Sequence, residues 1–254
     1  MKDIQTKKLA FLVGCNYANT PNELHGCIND VLAMRQVLTS RFGFDPSHIQ
    51  LLTDAPGSPV MPTGANIKDA LISMVDQAEP GAILYFHYSG HGTRVPSIKR
   101  PHTFHHLDEA IVPCDFNLIT DMDFRNIVTE YQREQLSPFF PIPATVLFGD
   151  TASLRFRFPS HELDSIPSLH EDNGILLSGC QANESSADMN PKGDKGKAYG
   201  AFSNAIEIVL KENNGDLSNK EVVLMARNVL LEQGFDQHPC LYCSDDHANS
   251  PFLK

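Results

Sequence analysis

Apolar residues along the chain follow two alternating patterns, and the alternation predicts the fold. Leu9–Gly14 is an unbroken apolar run, as expected of a parallel strand covered on both faces. Cys27, Val31, Met34, Leu38 and Phe42 then recur at helical spacing, so one side of a helix faces a core. Ile49–Leu52 reads as a second strand. Ile67, Leu71, Met74, Val75 and Ala78 mark a second amphipathic helix, which Pro80-Gly81 ends. Ala82–Tyr88 is a strong third strand.

A loop rich in His and Pro follows from Gly90 to Leu107. Ala110–Val112 and Phe116–Ile119 have the lengths of a small hairpin, and Phe124–Tyr131 reads as helix. From Ser137 to Asp172 prolines punctuate a linker-like stretch, apart from the apolar patch Ala144–Phe148. Order returns with a buried-type strand at Gly174–Ser178. Two helices follow, one with Phe202, Ala205, Ile206, Val209 and Leu210 on a single face and one through Val222–Leu231. His238–Cys243 reads as a last strand. Strands alternating with helices imply an α/β fold with a mostly parallel sheet and right-handed crossovers. Such sheets carry their chemistry at the carboxyl ends of the strands. Those ends are Gly14-Cys15-Asn16, Ser89-Gly90-His91-Gly92 and Ser178-Gly179-Cys180.

Composition narrows the function. The 254 residues are 41% hydrophobic and 20% charged, which is globular. Lys and Arg number 20 against 31 Asp and Glu, a net charge of −11. That balance argues against nucleic acid and anionic membranes as partners. Six cysteines are too few for a disulfide scaffold, and several sit in apolar runs, so a reducing, cytoplasmic setting is expected. Lys7-Lys8 before an apolar run imitates a signal peptide, but the run is short and no small-residue cleavage site follows. Gly-x-Ser-x-Gly, Walker-type and His-Glu-x-x-His motifs are absent.

His91 stands between two glycines directly after the strongest apolar strand. An imidazole there suits a general acid or base, and equally a loop histidine without a role. The surrounding words favour the first. Tyr88-Ser89-Gly90-His91-Gly92-Thr93-Arg94 resembles the histidine motif of caspase-like cysteine peptidases. The chain as a whole resembles the plant type II metacaspases, closest to a calcium-independent subgroup. The resemblance rests on Leu24–Val31, Asp108–Asp115, Asn117–Asp121, Leu177–Gln181, Ala198–Ser203 and His238–Asp245 in that order. It implies a caspase-like three-layer sandwich, a mostly parallel central sheet with helices on both faces. It divides the chain into a large-subunit-like region over 1–136, a shortened Pro-rich linker over 137–172 and a small-subunit-like region over 173–254. It also implies a cysteine endopeptidase that cuts after Arg or Lys with a Cys–His pair, His91 being the histidine.

The family's nucleophile lies in an Asp-Ser-Cys-His-Ser-Gly element after the next core strand. No such element exists here, and no cysteine lies between Cys114 and Cys180. Either Val146–Ser153 is that strand and loop with Ala152 in the nucleophile's place, or the strand and loop are deleted. Deletion is favoured, because Leu147–Asp150 and Arg155–Pro159 resemble the end of the family's linker. It would leave two open sheet edges. The candidate substitute nucleophile is Cys27, between the first strand and the next helix, since a helix N-terminus lowers a thiol pKa. Packing is the plainer role for it.

By resemblance Cys27, Asp30 and Ser89 line the pocket for Arg or Lys, whose cation needs a buried carboxylate. Asp30 read alone is a helix carboxylate. The resemblance also brings calcium as a candidate cofactor through Asp108, Asp121 and Asp123, although Met122 interrupts the acidic run. Cys240-x-x-Cys243 with His238 and His247 is a weak zinc pattern, because strand neighbours alternate faces. The expected partners are peptides or proteins with Arg or Lys, with association with family members as a further candidate. Arg155 and Arg157 are candidate maturation cuts. Unconventional release to the apoplast is the alternative location. An inactive chain that binds basic peptides or an active family member is the alternative function.

Overall fold

The computed structural model describes residues 6–96, 107–127, 144–148, 174–181, 184 and 186–254. Six strands form the central sheet: β1 (Lys8–Gly14), β2 (Ile49–Thr53), β3 (Ile83–Ser89), β7 (Ala144–Phe148), β8 (Ile175–Ser178) and β11 (Cys240–Tyr242). Their order is β11-β8-β7-β3-β1-β2. All neighbours are parallel except β11, which runs antiparallel to β8. A second sheet joins β4 (Gly92–Pro96), β5 (Leu107–Ile111) and β6 (Ile119–Thr120), and a third joins β9 (Asp188–Met189) to β10 (Tyr199–Gly200). The helices are α1 (Cys27–Phe42), α2 (Gly64–Asp76), α3 (121–127), α4 (Ala201–Glu212), α5 (Asn219–Glu232) and α6 (Asp245–Asn249).

Successive strand residues face opposite sides, so the unbroken apolar run of β1 serves two cores. Ala10 and Leu12 join Tyr85 and Leu177 beneath α1, α4 and α5. Leu9, Phe11 and Val13 join Leu84, Phe86 and Leu176 beneath α2 and Phe124 of α3. Helix α1 stops at Gly43, whose φ of 67° is the left-handed cap that glycine adopts readily. α5 starts with a capping box between Ser218 and Glu221. No helix among the described residues is long and apolar enough to cross a membrane.

The three-layer α/β sandwich agrees with expectation. One reading is corrected. Ala144–Phe148 pairs in parallel with β3 on one side and β8 on the other, so the sheet is closed where deletion would have opened two edges. The hairpin at 110–119 is also larger than expected. β4, in the supposed loop after His91, pairs antiparallel with β5. The polar, largely exposed pattern of β4 carries no apolar run to signal it.

Candidate active site

His91 follows β3 at the carboxyl edge of the sheet. The loop after β1 holds it on three sides. Its backbone N–H donates to the Tyr17 hydroxyl at 2.9 Å. Its ring lies 4.8 Å from the Tyr17 ring, centroid to centroid. Its Nε2 is 2.8 Å from the Asn22 carbonyl oxygen. A carbonyl only accepts, so Nε2 carries the proton and Nδ1 is the nitrogen left for acid–base work.

Beneath the histidine lies a buried tyrosine pair. The Tyr17 and Tyr88 hydroxyls are 2.8 Å apart, and both reach the Val112 carbonyl, at 2.5 and 2.7 Å. Tyr88 also reaches the His91 carbonyl at 3.1 Å. Two hydroxyl protons are thus shared among these acceptors and each other. Both carboxylate oxygens of Asp54 hold the turn that carries Tyr17, accepting from Asn16 N at 2.8 Å and Tyr17 N at 2.6 Å. A Cβ on Gly90 would lie 2.5 Å from the Tyr88 hydroxyl and 2.8 Å from that of Tyr17. The glycine before His91 therefore makes room for the tyrosine pair rather than for a ligand.

On the opposite face of β3, Ser89 points towards the first turn of α1. Its hydroxyl donates to Asp30 Oδ2 at 2.7 Å, and the Gly200 N–H reaches both carboxylate oxygens at 3.0 and 3.2 Å. Asp30 is buried, not an exposed helix carboxylate. Asp188 accepts from the N–H groups of His25 and Gly26, both at 2.9 Å. It occupies the start of α1, where a negative charge meets the positive end of the helix. Asn29 donates to the Lys195 and Ala198 carbonyls at 3.0 and 2.8 Å, and Lys195 pairs with Glu23. The segment 186–200 is thereby bound to the start of α1, where Asp30 sits.

Cys27 lies beside Asp30 at the start of α1. Its side chain is buried, and burial, with Asp30 beside it, pushes the thiol far above its ordinary pKa. The other thiols do no better. Burial and then Asp54 raise Cys15, burial raises Cys114 to about 11 with help from Asp54 and Asp115, and Cys180 is buried. Cys240 and Cys243 lie at β11, on the far edge of the sheet.

The calcium carboxylates do not assemble. Burial, and to a lesser extent the charge of Asp108, pushes the Asp121 carboxyl up. Asp123 is committed elsewhere: Lys68 Nζ donates to it at 2.9 Å, and Thr120 donates from N and Oγ1 at 2.9 and 3.0 Å. These bonds overcome burial and lower its pKa. A carboxylate already neutralised by an ammonium does not fit a calcium cage. Among the described residues no group of three or more His, Cys, Asp or Glu side chains could hold a metal. His238 of the weak zinc pattern pairs with Glu184 at 2.7 Å. Asp150, Ala152, Arg155, Arg157, His102, His105 and His106 lie outside the described residues.

A caspase domain model matches residues 7–249. The chain is 48% identical to metacaspase-9 of Arabidopsis thaliana, covering 98% of this chain and 97% of that one. It is 31% identical to metacaspase-6 of the same plant, covering 97% and 99%. The first alignment runs over 318 positions against the 254 residues of this chain, so at least 64 positions of that relative have no counterpart here. Among solved structures, caspase-1 from Spodoptera frugiperda shares the fold with a TM-score of 0.60 at 10% identity, over 94% of this chain and 86% of that one.

Proposed function

The chain belongs to the caspase-domain family, among the plant metacaspases, and from that premise we propose that it recognises Arg or Lys in peptides through Asp30 while being impaired in the covalent step. The carrying observation is the buried Asp30 carboxylate, braced by neutral donors on Ser89 and Gly200 beside the His91 edge. A buried carboxylate beside the site histidine is the group that a guanidinium or ammonium would pair with.

In the peptidase reaction a thiolate adds to the scissile carbonyl and the imidazole passes a proton to the leaving amine. His91, with its Nε2 fixed on Asn22, is suited to the second task. The first task has no thiol suited to it among the six cysteines, which are buried, raised in pKa or at the far edge. At least 64 positions missing relative to a close relative support an internally shortened chain, in which Ala144–Phe148 fills the strand position. The product would hold basic peptides, or pair with an active family member, without turning them over. Six cysteines that form no disulfide support a reducing, cytoplasmic setting.

The test is hydrolysis of a fluorogenic peptide ending in Arg at pH 5.5 and 7.5, with and without calcium, alongside binding of the same peptide. Binding without release above blank is expected. Release that disappears in Cys27→Ala would overturn the reading of an impaired covalent step.

A further inference from the structure

Four described residues with side chains occupy the left-handed backbone region, among them Tyr17 at φ 51°, which packs on His91, and Phe116 at 61°, whose ring packs on Tyr17. For an aromatic residue that region is a genuine outlier. Such outliers gather where function over-determines the backbone. Phe116 is also 46% exposed.

The turn beneath Phe116 is firmly built. Its N–H donates to the Pro113 carbonyl at 2.9 Å. Asp115 accepts from Gly64 N at 3.0 Å, from Asn117 N at 3.3 Å and from Asn117 Nδ2 at 2.7 Å. The ring sits 5.9 Å from that of Tyr17, which in turn lies 4.8 Å from the His91 imidazole. The buried Tyr17 ring thus contacts both the site imidazole and the exposed Phe116 ring. The adjoining loop, whose Pro62 carbonyl takes the Cys114 N–H, presents Val60 and Met61 at 44% and 41% exposure.

The Tyr17 and Phe116 rings have a defined side. Ser89 directs its hydroxyl to Asp30 on the α1 face of β3, whereas Tyr88 meets Tyr17 on the α2 face. The Asp30 pocket and these rings therefore flank the strand tip that carries His91. The imidazole serves the leaving amine, so the chain beyond the scissile bond passes His91 on the side away from the Asp30 pocket. We propose that the exposed Phe116 ring, backed by the buried Tyr17 and flanked by Val60 and Met61, forms an apolar subsite that takes an aromatic or large aliphatic side chain from one of the first two residues after the scissile bond. This rests on the Asp30 reading, which sets the direction of the bound peptide.

The test measures binding of four labelled peptides to the full chain by fluorescence anisotropy. The residue for the Asp30 pocket is Arg or Gln, and the next two residues are both Phe or both Gly. Mass spectrometry checks that each peptide stays intact. Phe116→Gly removes the ring, while glycine suits a φ of 61°, so the unfolding temperature should hold or rise. The Phe peptides should bind about 3- to 10-fold more tightly than the Gly peptides. Phe116→Gly should erase that preference and keep the preference for Arg over Gln. Equal binding of Phe and Gly peptides would overturn the subsite, and so would a lowered unfolding temperature with both peptides weakened alike, which marks a structural ring. A Phe preference without an Arg preference would support the subsite and overturn the Asp30 reading. Failure of all four peptides to bind would overturn both.

Discussion

Asp30 carries the charge in the proposed recognition of Arg or Lys. Its carboxylate is buried, with the Ser89 hydroxyl and the Gly200 N–H donating to it. Asp30→Asn keeps an acceptor oxygen for those donors and removes the charge. Arg-peptide binding should then weaken about 10- to 100-fold, as expected for the loss of a charge-assisted contact, while a neutral peptide is unaffected; an isothermal titration pair checks this. Cys27, beside Asp30, should resist iodoacetamide in the folded protein and react on unfolding, because burial and Asp30 disfavour its thiolate. Rapid native labelling at Cys27, seen by mass spectrometry, would contradict that. His91, Asp30 and Ser89 were legible in the chain because each sits in a distinctive string of residues. Tyr17, Tyr88, Asn22 and Asp188 were not. Their roles lie in hydrogen bonds between loops far apart in sequence, and such contacts leave no periodicity.

The long apolar strands and the amphipathic helices are the elements most readable from pattern, since burial on two faces or on one stripe writes itself into residue type. β4 escaped because it is polar and mostly exposed, and β9 and β10 because two residues each are too few to show a pattern. β7 is the instructive case. Ala144–Phe148 is an apolar island in proline-rich surroundings, and only its pairing with both β3 and β8 identifies it as a central strand. Val146→Pro tests that assignment. Proline removes a ladder N–H, which a central strand cannot spare, and should lower the urea midpoint, whereas a linker would tolerate it. A urea midpoint unchanged by Val146→Pro would return the segment to the linker.

At the scale of the whole molecule, one buried group ties stability to pH. His87 is fully buried on β3, with Tyr85 Oη 3.4 Å from Nδ1 and Ser203 Oγ 3.5 Å from Nε2, and burial lowers its pKa to about 3. The unfolded chain takes up this proton near pH 6.5 and the folded chain only near 3. Its contribution is therefore complete above about pH 6.5 and is lost as the pH falls towards 3, at up to about 1.4 kcal/mol per pH unit. Urea midpoints measured between pH 4 and 7.5 should fall with acidity and fall less steeply in His87→Phe; an identical slope in that variant would refute the assignment. The Asp30 pocket carries a consequence of its own. Its carboxylate comes from near the start of the chain, while the Gly200 N–H that braces it, and the Asp188 that closes the same helix end, come from beyond the proline-rich stretch. Neither half owns the pocket. A nick between the halves would leave a two-piece protein whose affinity for basic peptides reports, like a split sensor, whether the pieces remain docked.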